Sequence, residues 1–237
     1  MSQLFIVVLF LALLAGVILF FARMVKRGNR KRREMRERLG FEAMDQPDPT
    51  LVERLVAFHK KWPGQRIKLS NMSVQYGGGA SYYMFDLIDQ GAHERSRLGL
   101  NIVGVISSSL DLPRMMLVPI ASPDLPAVLG KLMAGLVTRL IDWSARHGGF
   151  TRLHFPENEE FEKCFVVLAQ DEAAARSFLT GSRIDWLCGQ GRLFNIETGG
   201  DTATVQRNYS SQPRETEENL RILFDGAQGL VEAFGRG

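Results

Sequence analysis

At 237 residues and a formal charge of +3, the chain has room for one or two domains and only a weakly basic balance. That charge is concentrated: Arg23–Arg38 holds nine basic and two acidic residues, leaving −4 for Leu39–Gly237. A mildly acidic remainder repels phosphate backbones on average, which excludes a nucleic-acid binder, and two cysteines 24 residues apart cannot supply the four ligands of a structural zinc.

The first element is Leu4–Ala22, 19 consecutive residues without a charge, a proline or an amide. As a helix it would span about 28 Å, close to the ~30 Å hydrocarbon core of a bilayer. A cleaved signal peptide would carry its positive charge before a shorter apolar region of about 7–15 residues. Here the basic residues follow, so residues 1–22 are expected to be an uncleaved transmembrane anchor. Lysine and arginine are retained on the cytoplasmic side. The expected location is therefore the inner (plasma) membrane, single-pass, with Met1 outside and the following domain cytoplasmic.

Residues 23–46 form a basic juxtamembrane segment and a linker, the linker being Gly40–Gln46. Arg23, Lys26, Arg27, Arg30, Lys31, Arg32 and Arg33 are the expected membrane-surface contacts. Each basic side chain close to anionic headgroups is worth about 1 kcal/mol. The expected partners are thus the lipid bilayer and its anionic headgroups. A nucleic-acid role would need aromatic side chains among the charges, and this segment has none.

Residues 47–237 read as a cytosolic domain. Asp48 caps a helix that Pro49 opens and Pro63-Gly64 stops. "RIKLSNMSVQY" and "SYYMFDLID" flank Gly77-Gly78-Gly79 as an antiparallel hairpin, and "RLGLNIVGVISS" and "MMLVPIAS" add two strands of a meander. Leu125–His147 repeats its apolar residues at three- and four-residue steps, a buried helix whose Lys131, Arg139 and Asp142 argue against a second span. "TRLHF" and "EFEKCFVVLA" read as strands. Asp171 caps a helix that Gly181 ends, and "RLFNIET" with "TATVQRNY" forms a hairpin around Gly199-Gly200-Asp201. Pro213 opens the closing helix. In it Leu220, Leu223, Ala227, Leu230 and Phe234 offer either a core-facing stripe or a seam for self-association. The expected class is α+β: an N-terminal transmembrane helix followed by a mostly antiparallel sheet with packed helices.

This succession of helix, meander, long helix, "FPENEEFEKCFVVLAQDEAAARSFLT" and terminal helix, over Arg66 to Phe234, resembles bacterial single-span membrane-anchored domains of unknown function. The resemblance implies the architecture and brings no site residue with it.

No motif carries catalysis, a cofactor or a metal. Tyr76-Gly77-Gly78-Gly79 lacks the lysine and following helix of a phosphate loop. His59, His93, His147 and His154 fall in no metal-ligand spacing, and Glu157, Glu159, Glu160 and Glu162 do not match a calcium loop. Ser107-Ser108-Ser109 lacks a nucleophile elbow. Cys164 and Cys188 read as packed thiols of a reducing compartment. The expected function is a membrane-anchored, cytosol-facing binding or scaffold protein. The alternative is a membrane-anchored hydrolase or transferase whose site is assembled by the fold.

Overall fold

The computed structural model describes residues 3–60, 64–90, 96–120, 149–190, 193–207 and 216–235. The expected helix Leu125–His147 and the expected helix start at Pro213 lie outside these residues.

Helix α1 runs unbroken from Gln3 to Arg38, so the apolar run and the basic segment are one 36-residue element. Counted over described residues, no helix is long and apolar enough to cross a membrane. Most side chains of the Leu4–Ala22 run fall outside that description, so the spanning assignment rests on the sequence.

The helix closes in a Schellman turn. Gly40 adopts φ +87, its N–H donates to Glu37 O, and Phe41 N–H donates to Arg36 O, each at 3.0 Å. This turn drives Phe41 into the core, where it is 1% exposed. Residues expected as a linker therefore belong to the fold: Glu42–Ala43, β1, pairs with Val74 and Ser73.

Helix α2, Pro49–His59, starts as expected, with Asp48 accepting from Thr50 N–H. Strands β2 (Ile67–Gly77) and β3 (Ala80–Asp89) form the hairpin, turning at Gly78 and Gly79 with φ +59 and +73, a region open to glycine. Strand β4, Ser96–Ile106, pairs with β3.

The meander stops there. Strand β5, Leu112–Pro119, pairs instead with β7 (Phe165–Ala169) and β8 (Phe194–Gly200). Strand β9, Thr202–Arg207, turns back from β8 to pair with β4, and β6, Thr151–Leu153, borders β7. The described strands form one nine-stranded sheet in the order β1-β2-β3-β4-β9-β8-β5-β7-β6, antiparallel at every pairing. The protein is α+β, with a large antiparallel sheet and packed helices.

Two local readings are corrected. Glu159–Cys164 is helix α3, not the start of a strand: Asn158 caps it, and Glu159, Glu160 and Glu162 lie in its first turn, where the helix dipole favours negative charge. Gly181 does not end helix α4, Glu172–Phe178, but opens a further helix, α5, Gly181–Gly189. The closing helix, α6, is Glu217–Phe234.

Alternation along β3 divides the interior. Tyr82 and Met84 face the larger core, with α6, Met35 and Phe41, while Tyr83, Phe85 and Leu87 face the smaller one under Leu55 of α2. In α6, Leu220, Leu223, Ala227, Leu230 and Phe234 are all at most 1% exposed. That stripe packs on its own sheet.

Candidate functional site

An aspartate inside an apolar strand needs a partner, because a lone buried carboxylate is costly. Asp86, in the middle of "YYMFDLI", finds one in α1. Arg36 Nη2 lies 3.3 Å from Asp86 Oδ1, and both side chains are 3% exposed. The same nitrogen donates to Asn101 Oδ1 at 2.8 Å, and Nη1 donates to the carbonyls of Asn71 and Met84. Asp86 also accepts from Asn101 N–H at 3.0 Å and from Asn71 Nδ2 at 2.7 Å. Arg32, one turn earlier in α1, adds a cation 3.6 Å from Asp86 Oδ2.

The backbone is shaped for this network. Asn71 and Asn101 adopt φ +52 and +51, the only non-glycine residues in the left-handed region among those described. Asn71 sits where the β2–β3 register shifts between Ser70 and Ser73. Such conformations are sparsely populated and persist where the surroundings over-determine them. Here the surroundings are the Arg36 guanidinium and the Asp86 carboxylate.

Beside this lock, α1 and the β1–β2 edge enclose a cavity of about 440 Å³. Its walls carry five cations (Lys26, Arg30, Arg32, Arg33, Arg36) against two carboxylates, Glu37 and Asp45. The seven expected surface contacts thus divide. Arg23, Arg27 and Lys31 are exposed on α1 away from the cavity walls, whereas Lys26, Arg30, Arg32 and Arg33 line the cavity. Arg32 is turned inward to Asp86; Arg33 reaches Glu37 at 2.9 Å and Asp45 at 3.1 Å; Arg30 pairs with Glu34 at 3.2 Å. Sequence reasoning missed Arg36, Asp86, Asn71 and Asn101. The available signal was an aspartate and two asparagines, residues depleted in strands, inside otherwise apolar strands.

A second polar cluster lies under the C-terminus of α2. Glu197 accepts from Arg114 Nη2 at 2.5 Å and stands 3.4 Å from His59 Nδ1. Arg114 also donates to the carbonyls of Phe58 and Thr198 and stacks on the Phe58 ring at 4.3 Å. His59 is 6% exposed, and among the described residues its Nε2 has no hydrogen-bond partner. A histidine beside a carboxylate is half of a catalytic constellation, but Thr198 Oγ1, on the residue after Glu197, donates to Pro113 O. The cluster ties α2 to β5 and β8.

The thiols are free. Burial, with Cys164 alongside, pushes the Cys188 thiol up to about 11, so it is no nucleophile near neutrality. Among the described residues no group of three or more His, Cys, Asp or Glu side chains could hold a metal.

No known family matches the chain, and no curated protein matches it. Among solved structures it is similar to the mycobacterial trehalose monomycolate transport factor A, at a TM-score of 0.50 and 10% identity, over 88% of this chain and 97% of that one. At that identity the likeness is one of fold.

Proposed function

We propose that the chain is a binding or scaffold protein held at the cytosolic face of the plasma membrane by a single N-terminal span, with Met1 outside. The observation that carries this reading is the continuity of α1 from Leu4–Ala22 into the buried Arg36–Asp86 pair. Arg32, the first residue of α1 that reaches the sheet's aspartate, lies ten residues beyond Ala22, about 15 Å along a helix. A domain joined through such a helix sits at headgroup level in a defined orientation, not on a tether. Arg23, Arg27 and Lys31 would then meet anionic headgroups directly. The fold neighbour is by its name a transport factor for trehalose monomycolate; nothing of that role is carried to this chain.

Protease protection tests the reading. Protease added to intact cells should leave residues 40–237 uncut, and inverted membrane vesicles should expose them. Cleavage of the domain from outside would overturn the orientation. Neutralising six or more of the basic residues between Arg23 and Arg38 should give mixed orientations.

A further inference from the structure

The cationic cavity has a neighbour across the β1–β2 edge. A second groove, also of about 440 Å³, shares Met44, Asp45, Asn71 and Met72 with it as lining residues. The second groove runs between α2 and β2, where Met44, Val52, Val56 and Ile67 are only partly buried against the smaller core. Taken together as one trough, the two have a basic end and an apolar end, and each lies within the range of small-ligand sites. Its basic end begins at Lys26, four residues past Ala22 and about 6 Å along the helix.

We propose that this trough binds one anionic lipid drawn from the adjacent bilayer. Its phosphate lies among Lys26, Arg30 and Arg33, and an acyl chain lies along Val52, Val56 and Ile67. The proposal rests on the membrane-anchored reading above and names its ligand. Arg32 and Arg36 are committed to Asp86 and contribute positive potential. Arg30 and Arg33 hold only exposed carboxylates, weak pairs that a phosphate can displace. A polar ligand alone would leave the apolar half unused, and a fatty chain alone would leave the cations without a counter-charge.

The rival occupant is a peptide strand added along β2, since β1 reaches only Ser73 and Val74. The register shift between Ser70 and Ser73 and the exposed Lys68 are features that blunt an edge against pairing. An acyl chain, which has no backbone amides to pair, is not opposed by these features.

The test uses the full-length chain in a neutral maltoside detergent. Native mass spectrometry compares retention of phosphatidylglycerol and phosphatidylcholine with identical acyl chains. One phosphatidylglycerol per chain should be retained, several-fold more tightly than phosphatidylcholine. Each of Lys26→Gln, Arg30→Gln and Arg33→Gln should weaken it by about fivefold. Val52→Trp, which fills the apolar groove and leaves every cation in place, should abolish retention. Met44→Trp does the same from the opposite wall, should Val52→Trp fail to melt cooperatively. Glycerol 3-phosphate, lacking acyl chains, should not displace the lipid. Equal retention of the two lipids, full retention in both tryptophan variants, or displacement by glycerol 3-phosphate would each overturn the proposal. Because binding is read on the purified chain, it is independent of orientation. A domain found outside the cell would overturn the cytosolic orientation alone, and loss of lipid selectivity would overturn this proposal alone.

Discussion

Arg36 and Asp86, fifty residues apart in sequence, meet 3.3 Å apart with their side chains 3% exposed. One belongs to a segment whose other basic residues, Arg32 apart, face solvent or a groove, the other to the middle of the sheet. Their contact makes the basic helix part of the domain.

Removing one partner takes from a buried charge its nearest counter-charge, at a cost of about 3–5 kcal/mol, which Arg32 offsets in part when Arg36 is the one removed. Arg36→Met and Asp86→Leu should each lower the melting temperature of the full chain by roughly 10 °C, on the scale of 2–4 °C per kcal/mol for a domain of this size. The double variant should recover part of the loss, because the only charge then left without Asp86 is Arg32, which is partly exposed. A double variant as unstable as the sum of the singles would show that the two do not act as a pair.

The domain boundary moves with this contact. A fragment starting at Phe41 lacks Met35 and Arg36, both of them buried. It should melt well below one starting at Gly28, which keeps the last three turns of α1. Equal melting by circular dichroism would mean that α1 adds nothing to the core.

Two glycines in helices should respond oppositely to alanine. At Gly28 an added Cβ meets nothing within 4 Å, so Gly28→Ala should stabilise by up to about 1 kcal/mol through helix propensity. At Gly226 a Cβ would come within 2.5 and 2.6 Å of the Phe194 ring, itself 2% exposed. Overpacking of this kind costs about 1–3 kcal/mol, so Gly226→Ala should be a net loss in denaturant unfolding.

Cys188 gives a pH dependence. Its ordinary value of 9.0 is raised to about 11, chiefly by burial and by Cys164 next to it. The native state keeps its proton where the unfolded state has lost it. Its contribution is therefore complete below about pH 9 and disappears as pH rises towards about 11. Cys188→Ser should flatten stability across that window. Alkylation of the native protein at neutral pH should be slow and should accelerate in urea.

The sequence by itself determined the elements whose signals are local. The Asp48-Pro49 helix start, the Gly78-Gly79 and Gly200 turns and the apolar stripe of α6 each follow from a cap, a left-handed backbone or a 3.6-residue period. It also showed where the basic residues are dense, because nine of them within sixteen positions need no fold to be seen, but it read them as surface contacts and not as the wall of a cavity. It misread Glu159–Cys164, where the asparagine cap and acidic first turn outweigh the apolar residues that follow. Only the tertiary structure decided that β8 and β9 insert between β4 and β5, and that Arg36 pairs with Asp86. Both choices join residues about fifty or more positions apart. No local periodicity records such contacts, because their free energy comes from desolvating two distant surfaces together and so exists only once the chain has closed on itself.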